Sequence, residues 1–260
     1  MGVPHSTART VAPLSFLYDF AAQQYGMLAK PNMKDIHDAN ISFFSPQPFY
    51  IAGFFFPQQI LQLLWLWRLW KGEDRGEDLD QMIDYTPIYA VGNICIGTWM
   101  FFWNANDLRT SNVFVTINTL AQLSYVCLRL GNVRHKGPDR SPSPLTHAIA
   151  KTFAGIGVLD LLHNTSAAYF KDRGPATTVK VLTGLGFGLG CAVSDWMLGA
   201  CLVYDLIALG AGQKGTWRML LNGYAIGCAG IVGSKFWLSS RGDRHGRSDD
   251  LDYNKSPPQA

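Results

Sequence analysis

Two apolar runs, 87–103 and 112–130, meet at a short polar elbow, 104–111. Each has the length that a helix needs to cross a bilayer. Amides interrupt or end both runs, at Asn93 within the first and Asn104 just beyond it, and at Asn118 and Gln122 in the second. A polar side chain left in hydrocarbon without a partner costs several kcal/mol, on the order of 2–7. A chain that keeps four of them here must turn them inward, toward other helices. That demand excludes most folds and leaves a helical bundle with a polar seam.

The rest of the chain fits the same frame. Hydrophobic residues make up 48% of it and charged residues only 16%, against roughly 25% charged in soluble domains. The charges collect at 68–84, 129–140, 171–180 and 241–255, and long apolar blocks lie between them. The mean hydropathy of +0.04 averages over these two populations. The expected fold is all-α: a polytopic integral membrane helical bundle of six spans, 49–70, 87–103, 112–130, 145–170, 179–209 and 217–238. The fifth is long for a single crossing. An amphipathic helix over 11–28, interrupted by Asp19, Gln23 and Gln24, is expected at the membrane interface or tucked against the bundle. The domains expected are an N-terminal region, 1–48, the bundle, 49–240, and a disordered polar tail, 241–260. Residues 71–84 read as an acidic loop and 129–144 as a flexible linker rich in Pro and Ser.

A net charge of +3 without a basic stripe gives no case for nucleic acid. The five cysteines show no metal or disulfide spacing and read as free thiols packed among apolar side chains. No cofactor or metal is implied. The start of the chain lacks a signal peptide's pattern, so the expected location is an endomembrane such as the endoplasmic reticulum, as a multi-pass protein. Six spans would leave twelve Lys and Arg on the side of both termini and nine on the other, a weak preference for cytosolic termini.

Helical spacing sorts the polar residues into faces. Gln58, Gln62 and Trp65 share one face of the first span. Asn93, Gly97, Met100 and Asn104 share one in the second, and Ser111, Asn118, Gln122 and Tyr125 one in the third. These stripes can meet in the interior, either to hydrogen-bond helix to helix or to line a cavity for an apolar ligand. Asp160, His163 and Asp195 are ionisable groups within apolar runs. Asp160 and Asp195 would either pair, with each other or with Lys151 or His163, to lock the bundle, or act as proton donors. Gly184xxxGly188, Gly186xxxGly190 and Gly223xxxGly227 allow close helix approach, and a homo-oligomer is one use of such faces.

The order of features resembles the distant, tryptophan-rich sensory-protein branch of the TspO/translocator-protein family, over about residues 35–165. The residues that carry the resemblance are the turn Phe44-Ser45-Pro46, the aromatic span 49–70, the set Asn93/Trp99/Trp103, the tail Cys127-Leu128-Arg129-Leu130, and Asn164. The resemblance implies binding of a flat apolar molecule inside a helical bundle, without a dedicated catalytic centre. The leading expectation is therefore a protein that binds or passes a hydrophobic small molecule, tetrapyrrole-, sterol- or terpenoid-like, through Gln62, Asn93, Trp99, Asn118 and Gln122. The alternative is an integral membrane cyclase or isomerase of terpenoid or polyketide biosynthesis, with Asp160, His163 and Asp195 as its acid/base groups.

Overall fold

The structure is a computed structural model that describes residues 4–72, 77–130 and 143–253. Within those residues the chain is all-α. The helices are α1 (His5–Leu28), α2 (Met33–Ala39), α3 (Pro48–Lys71), α4 (Glu77–Asn104), α5 (Leu108–Tyr125), which continues into a π-helical turn (Val126–Leu130), α6 (Pro144–Tyr169), α7 (Thr177–Val193), α8 (Trp196–Gly212) and α9 (Gly215–Tyr253). Most of the linker expected at 129–144 and part of the acidic loop lie outside the described residues, as do residues 254–260 of the tail.

The helix starts follow from side chains that take up free backbone N–H groups. Gln47 caps α3 ahead of Pro48, Asp107 caps α5, Ser143 caps α6 ahead of Pro144, and Asp195 caps α8. Asn32 and Asp35 form a reciprocal capping box on α2. Gly72 ends α3 in the left-handed conformation, at φ 48°.

Among the described residues three helices, α3, α5 with its π-helical extension, and α6, are long and apolar enough to cross a membrane, and α7 and α8 are shorter apolar helices. The outer faces agree with a lipid surround. Phe49, Phe56, Ile60 and Leu63 of α3 and Leu185 and Leu189 of α7 are exposed, an apolar surface too continuous for a soluble monomer.

Helix α6 is the most buried of the three long helices and joins two packed clusters. Its Ile149, Ala150, Phe153 and Ala154 pack with α1, α3, α4 and the end of α5. Its Ile156 and Leu159 pack with α7, α8, α9 and Phe43 and Phe44 of the preceding strap. Helix α1 lies along α4, and the two run in the same direction. Its buried stripe is mostly small, with Ala8, Ala12, Ser15, Ala22 and Gly26, and also takes in Phe16, Asp19 and Gln23. On α4 a side chain at Gly97 would stand 2.7 Å from the Tyr18 ring and 3.2 Å from the Asp19 backbone. Of the two placements expected for the N-terminal helix, the structure has the one tucked against the bundle.

One expectation is corrected. The segment 179–209 is two helices: the chain leaves helical geometry at Ser194 and Asp195 and turns back. The cause is local, because Asp195 caps α8 by accepting from Leu198 N–H at 3.1 Å. Helix α9 runs on to Tyr253; no proline interrupts that run before Pro257.

The strap 29–47 closes one end of the bundle. Gln213 donates to the carbonyls of Ser42 and Ser45, at 3.1 and 2.8 Å, and Trp217 to that of Phe43 at 2.6 Å. Ser42 meets Ser166 at 2.6 Å, and Lys171 reaches Asn40 at 3.1 Å. The ends of α6 and α8 and the start of α9 therefore lie together on this strap.

Candidate functional site

The amides that the sequence turns inward are inward. Gln58, Gln62, Asn93, Asn118 and Gln122 are all buried. They are arranged around a stack of aromatic rings: Trp65 lies 4.8 Å from Tyr89 and 5.9 Å from Tyr85, centroid to centroid. Tyr89 donates to Gln62 at 2.8 Å, and Tyr85 to Gln122 at 2.9 Å. Asn93 donates to the Tyr89 carbonyl at 2.9 Å, and Thr152 to Gln58 at 2.7 Å. Gly92 is where the α5 amides cross to α4: a Cβ there would press on the Gln122 amide and stand 3.0 Å from Asn118 Oδ1. Four of the five expected ligand-binding residues thus converge: Gln62 and Gln122 bond to α4 and Asn93 within it, while Gln62 Nε2, Asn93 Oδ1 and Asn118 Oδ1 have no hydrogen-bond partner.

Trp99 is not part of this group. It donates to Asn164 Oδ1 at 2.8 Å, and Ser111 donates to the same oxygen at 3.2 Å. Trp99 stacks on Trp103, whose ring lies 5.4 Å from that of His163. The other stripe residues of the second span, Gly97, Met100 and Asn104, face α1: Met100 lies against Gly26, and Asn104 donates to the Gly26 carbonyl at 3.3 Å.

The three candidate acids and bases are spread along the bundle. Asp195 is ion-paired with Lys151, and both side chains are buried, at 7% and 1% exposure. His163 Nε2 lies 3.2 Å from His37 Nδ1 of α2, at the strap end. Asp160 is nine residues beyond Lys151 on α6, about 13 Å along the axis at helical rise. The locking pair with Lys151 is present, and the three groups share no common site.

The cavity lies elsewhere. A groove of about 760 Å³ runs between α5, α6, α7 and α8, within the size range of small-molecule pockets. One whole face of α7 lines it, from Val179 through Thr183, Phe187 and Gly190 to Val193. Leu123, Val126 and Cys127 form the opposite wall, Val158 and Leu162 the floor, and Phe44 and Ser194 the two ends. A Cβ at Gly186 would meet nothing within 4 Å, so the glycine face of α7 here widens a cavity. Closer helix packing, the expected use, holds at Gly184, which lies against Tyr224 of α9. Gly223 and Gly227 of α9 likewise face open space.

None of the candidate ligand-binding or acid/base residues lines this groove, although Phe44, Cys127, Gly186 and Gly190, noted in the sequence for other reasons, do. Its walls come from helices distant in the chain, and lining residues such as Leu123 or Val158 carry no chemical signal. The run Ser194-Asp195 was the available clue, as a helix-capping pair inside an apolar block. All five cysteines are free, and of these only Cys127 is exposed. Among the described residues no three His, Cys, Asp or Glu side chains are placed to share a metal ion. No family model, curated protein or solved structure matches the chain.

Proposed function

We propose that this chain is a multi-pass membrane protein, TspO-like in kind, that binds or passes a hydrophobic small molecule through the groove between α5, α6, α7 and α8. The observation that carries the reading is the groove itself: about 760 Å³ with a predominantly apolar lining. A ligand of tetrapyrrole, sterol or terpenoid character would gain roughly 25 cal/mol for each Å² of apolar surface it removes from water. The bond between Trp99 and Asn164 supports the family resemblance, since it joins two of the residues that carry it across α4 and α6. The convergent amides then act as the structural seam of the bundle, with interhelical hydrogen bonds worth about 0.6–2 kcal/mol each.

The cyclase or isomerase reading needs a proton donor at the substrate. Asp160, His163 and Asp195 do not line the groove, and the nearest, Asp195, is held by Lys151. The binding reading is therefore preferred.

Cys127 supplies the test. It is an exposed thiol on the groove wall, whereas the other four cysteines are buried. In purified protein, farnesol, cholesterol or protoporphyrin should slow alkylation of Cys127 by N-ethylmaleimide. Gly186→Leu should fill the groove without a clash and abolish that protection while leaving the melting temperature in place. Protection by none of the three probes, or protection unaffected by Gly186→Leu, would count decisively against the groove as a binding site.

A further inference from the structure

We infer that the strap end of the bundle carries a docking surface for anionic phospholipid headgroups, formed by Lys171, Arg173, Lys180, Lys214 and Arg218. The charge at this end is one-sided. The turn into α7, 170–180, and the turn into α9, 213–218, hold those five basic residues and a single acidic one, Asp172. The strap and the α4–α5 elbow, 29–47 and 104–109, are balanced: Lys30, Lys34 and Arg109 stand against Asp35, Asp38 and Asp107. Lys34 and Asp38 pair with each other. Among the described residues no carboxylate pairs with any of the five.

Phe43 brings the five together. Phe170 packs on its ring at 6.0 Å, and Trp217 donates to its carbonyl at 2.6 Å. Lys171 and Arg173 follow Phe170, and Lys214 and Arg218 stand on either side of Trp217. The Lys180 carbonyl accepts from the Tyr224 hydroxyl of α9 at 3.1 Å. Four of the five are exposed, and Lys180 is half-buried. Lys171 gives one N–H to Asn40 and keeps two for a ligand.

Their depth follows from what comes next in the chain. Lys180 precedes Val181 and Leu182, 52% and 61% exposed, and Arg218 precedes Met219, 73% exposed. Each helix thus passes within one residue from a cation to outward apolar surface, the transition that marks the headgroup level of a bilayer. Long basic side chains at that level lay their stems on the apolar surface and hold their charges among the headgroups. An anionic leaflet binds such clusters more tightly, by roughly fivefold for each Lys or Arg at its surface. A soluble phosphate ester shares the headgroup's chemistry, but the apolar border directly beneath the cations fits a lipid.

Native mass spectrometry of the full chain, in detergent holding equal phosphatidylglycerol and phosphatidylcholine, tests this. The wild type should retain phosphatidylglycerol in preference, and the preference should shrink as ammonium acetate is raised, because salt screens exposed charges. Lys214→Gln with Arg218→Gln, and separately Arg173→Gln with Lys180→Gln, should each weaken phosphatidylglycerol retention by roughly tenfold or more. Lys30→Gln with Arg109→Gln removes the same charge from the balanced half and should change retention by less than about twofold. Equal retention of the two lipids by the wild type would overturn the inference. An equal loss in the Lys30 and Arg109 variant would assign the attraction to the charge of the whole chain and overturn the patch. Displacement of phosphatidylglycerol by free glycerol 3-phosphate would assign these residues to a soluble phosphate and overturn the docking of lipid.

Discussion

Lys151 illustrates how a charge survives in this bundle. Its side chain is 1% exposed, and its ammonium meets the carboxylate of Asp195, itself 7% exposed. Asp195 also caps α8 through Leu198 N–H, so one carboxylate holds α6 to the start of α8 and begins that helix. Breaking a buried pair from one side costs about 3–5 kcal/mol, because it strands the remaining charge. Lys151→Met should therefore lower the melting temperature strongly. Adding Asp195→Asn removes the stranded charge and keeps an oxygen for the cap, so the double variant should recover most of the loss. Thermal denaturation of the wild type, both single variants and the double variant gives the coupling directly. Additive effects would show that the pair is not energetically linked. At this scale the sequence was informative about faces. Gln58, Gln62 and Trp65, placed on one face by their spacing, are 3%, 1% and 0% exposed. It offered Lys151 as one possible partner of Asp195 without deciding between it, Asp160 and His163, since Lys151 and Asp195 are 44 positions apart.

The strap 29–47 is the element on which the ends of four helices depend. Ser42, Phe43 and Ser45 bind α6, α8 and α9, as described above, and Asn40 donates to Asn106, just after α4, at 2.8 Å. Its α2 is fastened to α6 by His37 and His163, in which one ring nitrogen must donate and the other accept. Burial holds the His37 pKa below its ordinary 6.5; the nearby Asp38 opposes this, and Lys34 adds to it. Above pH 6.5 the folded and unfolded chains are both neutral at His37, and folding carries no proton penalty. Below 6.5 the unfolded chain takes up a proton that the folded chain refuses, so stability falls until the pH reaches the folded pKa. The slope is at most about 1.4 kcal/mol per pH unit for one proton. The melting temperature should drop between pH 7 and pH 5.5 in the wild type and drop less in His37→Gln. An identical pH dependence in the two would show that this latch does not titrate. Sequence reasoning took 43–48 as a turn; its role as a hub arises from segments more than 120 positions away, which no local pattern encodes.

At the scale of the whole molecule, the apolar runs and their lengths were readable because bilayer thickness sets them. The fold class, an all-α bundle with several apolar helices, followed from them. The point of reversal near residue 194 was harder to read. An Asp inside an apolar block can be an intramembrane acid or a helix cap, and hydropathy alone favours one continuous run over 179–209. The structure decides for the cap, and this changes which side later segments occupy. In a single crossing, residues 173 and 214 would stand on opposite faces of the membrane. Here Phe170 packs on Phe43 at 6.0 Å, while Gln213 and Trp217 bind the same strap, so both positions belong to one face. Arg173→Cys and Lys214→Cys, each in a Cys127→Ser background, can be labelled in sealed vesicles with a membrane-impermeant maleimide. Both should react from the same side. Reaction from opposite sides would restore an unbroken crossing over 179–209 and would remove the groove, because the α7 face that lines it exists only if the chain turns back at Ser194.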